Sequence, residues 1–305
     1  MMNPETTTTI EEIRTKRAPA SREIVDWLEY TIPYRPDFME WIMPDIDEVR
    51  TWRKCRSPQS LWEFAYECDV TGAKWLVSDD EMIDDKIIFS GKPLAKLRTF
   101  GIDGRMLIGR AIELEADFRR VDVAVDVFHT PLTPVRVLHA WQEQRVSTNL
   151  RTYKYIAGRE GVETLYCGSM HSRKRKFRIY DKSAEQGLGK NWWTRFELEE
   201  RSNADGYAYH VEAGLSIGKL INRKLKPLPG SGLSRAWDKW IASGTATISH
   251  IEDEYTDPDL QRWHWLERVA APALGRAIKV TIDKHPEILD TQLVKFFELV
   301  KREID

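Results

Sequence analysis

Nine residues limit the fold more than any other stretch: Arg120-Val-Asp-Val-Ala-Val-Asp-Val-Phe128. Strand side chains point to opposite faces with period two, so Val121, Val123, Val125 and Val127 make one face and Asp122, Ala124 and Asp126 the other. The two carboxylates lie two strand steps apart, roughly 7 Å, with only an alanine between them. That spacing leaves room for a divalent cation. A solvated acidic face has the same pattern, but Asp is depleted in strands, and two in one strand call for a reason.

A second alternating stretch is Lys176-Phe-Arg-Ile-Tyr-Asp-Lys182. Arg178, Tyr180 and Lys182 share one face, Phe177 and Ile179 the other. A phenol has an ordinary pKa of about 10, and neighbouring cations favour the phenolate that attacks a phosphate. On this stretch alone an ordinary half-buried strand tyrosine is the better reading. Just upstream, Arg173-Lys174-Arg175-Lys176 with Arg178 puts five cations in six residues. A solvated hairpin turn is the commoner fate of such a run, but this one feeds into the strand with the candidate nucleophile, and cations there neutralise phosphates. A third stretch, residues 193–200, divides Phe196 and Leu198 from Arg195, Glu197 and Glu199.

The same apolar/polar division in three nearby strands predicts one antiparallel sheet with helices on its apolar side and a charged groove on the other. Carboxylates facing a tyrosine and cations suit metal-assisted phosphoryl transfer. A hydroxyl at position 180 buried, or turned away from the acids, would defeat that reading.

Along the rest of the chain, residues 1–20 are polar and Thr-rich and predict a disordered tail. A first strand is predicted over 24–32, with Asp26 near its start, and helices over 45–54, 57–66, 94–99, 106–118 and 135–145. Short strands are predicted over 86–90, 151–156 and 163–168. Beyond residue 200 the pattern turns helical over 208–223, 232–243, 257–278 and 286–304. The Pro- and Gly-rich stretch at 225–232 predicts a boundary between a catalytic domain (21–225) and a helical C-terminal region (226–305). The chain's 12 tryptophans, several in this helical part, read as core rather than as base-stacking residues.

Composition narrows the function. No apolar run approaches a membrane span and no signal peptide is present, which predicts a cytoplasmic protein. Three cysteines outside any C-x-x-C spacing exclude a disulfide framework and a structural zinc site. A net charge of −2 gives no global attraction to nucleic acid. Nucleotide-binding glycine loops of either common type are absent, so the chain does not hydrolyse nucleotides itself.

The order RVDVAVDVF (120–128), LYCGSMHSRKRKFRIYDKSAE (165–185) and TRFELEER (194–201), with DWLEYT (26–31) and IIFSGKPLAKLR (87–98), resembles the Rep-trans family of rolling-circle replication initiators. These occur in small plasmids and phages and are related to MobT-type conjugative relaxases. The resemblance covers roughly residues 24–225 and implies an α+β fold: a five-stranded antiparallel sheet with helices on one face, HUH-like but without paired histidines. This chain also lacks a His-x-His. It implies that Tyr180 nicks one strand at an origin hairpin, leaving a 5′-phosphotyrosyl link and a free 3′-hydroxyl. Asp122, Asp126 and Glu197 match the family's acidic positions for Mg²⁺ or Mn²⁺, with Glu199 in reserve. His129 stands where relatives carry a further acid. Arg178 and Lys182 would hold the scissile phosphate or stabilise the phenolate, Arg195 a carboxylate or phosphate, and Arg173, Lys174, Arg175 and Lys176 the DNA. Implied partners are single-stranded and hairpin origin DNA and a host helicase and polymerase; the C-terminal helices, outside the resemblance, are open to origin recognition, dimerisation with a second copy of the chain or helicase contact. A relaxase with the same chemistry, or a non-catalytic DNA-binding protein, are the alternatives.

Overall fold

Ten strands form one antiparallel sheet: β1 (Ala20–Ile32), β2 (Trp52–Arg56), β3 (Phe64–Cys68), β4 (Lys74–Val77), β5 (Asp85–Phe89), β6 (Asp117–Phe128), β7 (Tyr153–Ala157), β8 (Glu163–Cys167), β9 (Arg175–Asp181) and β10 (Trp193–Glu200). Their order across the sheet is β2-β3-β4-β5-β1-β6-β10-β9-β8-β7. The computed structural model describes residues 8–33, 52–57, 61–80, 83–158, 162–244, 246 and 251–252. All lie in the first of two compact units, Met1–Glu254 and Tyr255–Asp305.

The α+β class and the large antiparallel sheet agree with the sequence reading, but the sheet has ten strands where the resemblance implies five. Two of the extra strands, β2 and β3, fall partly where helices are predicted over 45–54 and 57–66. Residues 45–51 and 58–60 lie outside the described residues, as do the helices predicted over 257–278 and 286–304. Local spacing lost to cross-strand aromatic packing in this wing: Tyr66 and Trp75 pair with ring centroids 5.4 Å apart, and Trp52 meets Trp75 at 6.4 Å.

The helices among the described residues are α1 (Ile10–Lys16), α2 (Gly91–Thr99), α3 (Gly104–Glu113), α4 (Pro134–Gln142), α5 (Lys182–Glu185), α6 (Ala204–Glu212), α7 (Ile217–Asn222) and α8 (Ser234–Trp237), the last continuing into a π-helical turn at Asp238–Ala242. The valine side is covered by α2, α3, α4, α6, α7 and α8; α1 docks on Phe128 and Trp193, which share the opposite face with Asp126 and Arg195, and α5 is a single turn after β9. The four β6 valines are buried with Phe177, Ile179, Phe196 and Leu198 against α3, α4, α6 and α7. Each such side chain contributes roughly 1.5–3 kcal/mol relative to exposure.

Three differences from the sequence reading have local causes. Helix α1 forms inside the stretch expected to be disordered: Thr9 and Glu12 make a reciprocal capping box, and Ile10 and Ile13 dock on Phe128 and Trp193. The helix predicted over 208–223 breaks into α6 and α7 at Gly214, which adopts a left-handed φ of 69°. Glu23 of β1 then accepts hydrogen bonds from the Ile217 and Gly218 amides at 2.9 and 2.8 Å, capping α7. Past residue 225 the chain stays on the same core: Leu225–Pro227 pairs with Val146–Thr148, and the Trp237 ring meets Phe196 edge-on at 5.4 Å.

Gly218 sets how closely α7 and the π-helical turn approach, because a Cβ there would sit 2.1 Å from the Ile241 carbonyl oxygen. Gly218→Ala is expected to cost about 1–3 kcal/mol through overpacking. An unchanged urea midpoint would show that the two segments separate freely.

Candidate active site

Cross-strand register builds the polar face row by row. Asp126, Arg195 and Tyr180 stand opposite one another on β6, β10 and β9; Ala124, Glu197 and Arg178 form the next row; Asp122, Glu199 and Lys176 the third. Directly opposed residues share a face, so acids, phenol and cations expected there do meet on one surface.

The Tyr180 hydroxyl donates to Glu197 Oε2 at 2.8 Å, and Arg178 pairs with Glu197 Oε1. The phenol is thus turned toward the acids. Its residue is buried, 7% exposed, so the first of the two conditions set against the nicking reading is met and only the second, a phenol turned from the acids, is not; the Arg178 and Lys182 head groups lie 5.9 and 5.8 Å from the ring centroid. Attack by this phenol therefore requires Arg178 and Lys182, long cationic side chains that a phosphate would attract, to swing off it. The expectation that cations favour the phenolate does not hold in this arrangement. Burial first, and the Glu197 charge second, raise the Tyr180 pKa well above its ordinary value, against a smaller opposing pull from Arg195. Arg178 is paired with Glu197 and Lys182 with Glu185, so their charge is spent locally. Lys182 has also left the strand and opens α5, which Asp181 caps through the Ala184 amide at 3.0 Å.

Asp126 is fully buried and held by two guanidiniums. Arg195 donates to both of its oxygens at 2.7 and 2.9 Å, Arg22 adds 2.6 Å, and Arg195 also reaches Asp26 at 2.8 Å. Burial would raise this carboxyl, but Arg195 and then Arg22 bring it down to about 2. Asp26 arrives through a β-bulge: the register shifts between Val25, opposite Val123, and Trp27, opposite Asp122, so that Asp26 is the extra residue of β1. Arg195, expected to hold a carboxylate or a phosphate, is 1% exposed and engages the Asp126 and Asp26 carboxylates, which leaves it no surface for DNA.

Arg120 bonds Asp122, reaches Glu199 at 3.4 Å and lies 4.0 Å over the Trp27 ring. Glu199 also takes Lys176 and Arg201. In the basic run, Arg175 and Lys176 pair with Glu200 and Glu199, while Arg173 and Lys174 are exposed at the turn. His129 is held elsewhere, stacked on Trp192 with Nε2 2.9 Å from the Ile13 carbonyl.

Among the described residues no group of three His, Cys, Asp or Glu is placed to hold a metal. The reason is visible: Asp122, Asp126, Glu197 and Glu199 each already carry a guanidinium. A divalent cation would bind these acids only by displacing the guanidiniums.

Burial, with the nearby Glu197 and Glu199 charges and against Arg120, lifts Asp122 to about 7. Its unfolded value is about 3.9, so the folded chain holds the extra proton between the two and loses stability as pH rises toward the upper one. Asp122→Asn, which cannot ionise, should therefore lose less stability than the parent between about pH 5 and about pH 8. Equal losses in urea titrations at the two pH values would refute this.

The sequence reading missed Arg22, Asp26 and Arg120 as parts of this face. Arg22 fell before the predicted start of β1, and nothing local announces a bulge.

A large antiparallel sheet, helices against its apolar side and a phenol among acids and guanidiniums on the other make an α+β protein of HUH-like architecture in general terms. The chain belongs to the Rep_trans family, whose model, described as replication initiation factor, matches residues 116–293. Its fold is similar to a solved structure described as a rolling circle replication initiator protein from Geobacillus stearothermophilus, with a TM-score of 0.60, 17% sequence identity, and coverage of 75% of this chain and 98% of that one. No curated protein matches the sequence. Among the described residues no helix is long and apolar enough to cross a membrane.

Proposed function

We propose that this protein initiates rolling-circle replication by nicking and rejoining one DNA strand through Tyr180. The observation that carries the reading is the 2.8 Å hydrogen bond from the Tyr180 hydroxyl to Glu197, with Arg178 on the same carboxylate. Glu197 accepts the phenol's proton as the phenolic oxygen attacks phosphorus. The bond to the 3′-oxygen breaks, a 5′-phosphotyrosyl link forms, and the 3′-oxygen takes a proton from solvent to become the hydroxyl that a polymerase extends. Arg178 and Lys182 meet the charge growing on the non-bridging oxygens. Rejoining is the reverse attack by a 3′-hydroxyl on the phosphotyrosine.

Family membership supports a metal-dependent reaction, and Mg²⁺ or Mn²⁺ is the proposed cation. It would have to compete with Arg120 and Arg178 for Asp122, Glu197 and Glu199, and the steps above are written without it.

Covalent trapping tests the reading. The protein is incubated with labelled single-stranded fragments of the replicon that encodes the gene, in Mg²⁺ or Mn²⁺, and resolved under denaturing conditions. A protein–DNA adduct mapping to one origin site is expected. An adduct confined to a transfer origin would make the protein a relaxase, and binding without any adduct would make it a non-catalytic DNA-binding protein.

A further inference from the structure

The two rows that hold Tyr180 and Arg178 continue outward to the sheet's edge. Tyr180 stands opposite Thr164 on β8, which stands opposite Ile156 on β7; Arg178 stands opposite Tyr166, and Tyr166 opposite Lys154. Strands are about 4.8 Å apart and rows roughly 7 Å apart, so this outer face extends about 10 Å from the nucleophile's strand. Outward of Glu197 the two rows contain no acid. They contain two cations, a half-buried tyrosine and an isoleucine that is 39% exposed on the polar side of an edge strand. Folding gives no reason for Ile156 there, since the core lies on the opposite face. Exposed Arg173 and Lys174, in the turn that enters β9, lie past the Arg178 row at the strand end away from Tyr180 and carry the positive charge further along β8 and β9.

We infer that the β7–β8 face is the track for single-stranded DNA flanking the scissile phosphate. Tyr166 stacks on a base, Ile156 packs against a neighbouring one, and Lys154 holds a phosphate. An aromatic and an aliphatic side chain suit unpaired bases of any sequence, and the acid-free cationic border suits the backbone. The inference rests on Tyr180 as the nucleophile only for which part of the strand lies here.

The test measures anisotropy of a fluorescein-labelled oligothymidylate on the full chain carrying Tyr180→Phe, so that no cleavage intervenes. Against that parent, Tyr166→Ala should weaken binding about 5- to 150-fold and Ile156→Ser less, while Tyr166→Phe, which keeps the ring, stays within about twofold. Lys154→Gln should lower the slope of log affinity against log salt by about 0.7. Tyr209→Ala, exposed on α6 at the helix side, is the control and should leave affinity unchanged. Affinity unmoved by Tyr166→Ala and Ile156→Ser overturns the track, as does Tyr166→Phe behaving like Tyr166→Ala. Loss of a dimer in sedimentation without loss of DNA affinity would assign the edge to a second copy of this chain, and also overturns it. The nucleophile is judged separately, by the adduct in the chain that keeps Tyr180. An adduct with no effect of the track variants sinks this inference alone; weakened binding with no adduct sinks the nicking reading alone.

Discussion

Tyr180→Phe is expected to abolish the covalent protein–DNA adduct while single-stranded DNA still binds. The substitution removes one oxygen and keeps the ring between Arg178 and Lys182, so the face should stay folded. It also frees Glu197 Oε2 of its bond to the phenol, which leaves the Arg178 pair intact. Glu197→Gln is the companion: it can accept a hydrogen bond but not take the proton, and should slow adduct formation by about 10²- to 10⁴-fold. An adduct that persists in Tyr180→Phe would reassign the nucleophile. Tyr166, directly opposite Arg178, would be tested next, then Tyr153 and Tyr155. A full-rate Glu197→Gln enzyme would remove Glu197 as the proton acceptor and leave Tyr180 in place.

Asp126→Asn should be the most destabilising single change on the polar face. Two guanidiniums converge on this carboxylate with almost no exposure, and the Arg195 and Arg22 side chains are each 1% exposed. Breaking a buried pair by neutralising one partner costs about 3–5 kcal/mol, because the remaining charge is stranded away from water. For a folded unit of this size that corresponds to a fall of very roughly 10 °C in melting temperature. By contrast, the Glu11–Arg14 pair on α1 is largely exposed, and Glu11→Gln should leave the midpoint unchanged. A shift for Asp126→Asn as small as that for Glu11→Gln would mean that the guanidiniums find other partners.

Asp126 also illustrates where sequence reasoning stopped. Alternation correctly puts it on one face with Asp122, and composition makes both look like metal ligands. Its partners, however, lie 104 and 69 residues away in the chain. One of them, Arg22, sits in a part of β1 that local pattern left out. Asp26 reaches Arg195 only because a bulge breaks the period-two rule at that point. Lys182 was placed on the Tyr180 face by extending the alternation one step past the strand's end, whereas Asp181 starts a helix there.

Side-chain parity along β6, β9 and β10 was legible without coordinates, since it follows from backbone geometry within each strand and needs no knowledge of neighbours. The pairing of Glu197 with Arg178 and Tyr180, the burial of Asp126 between two arginines, and the ten-strand extent of the sheet were not. Those depend on register between distant segments, and hydrogen bonds between strands, together with the cost of burying an unpaired charge, select that register only once the whole sheet has formed.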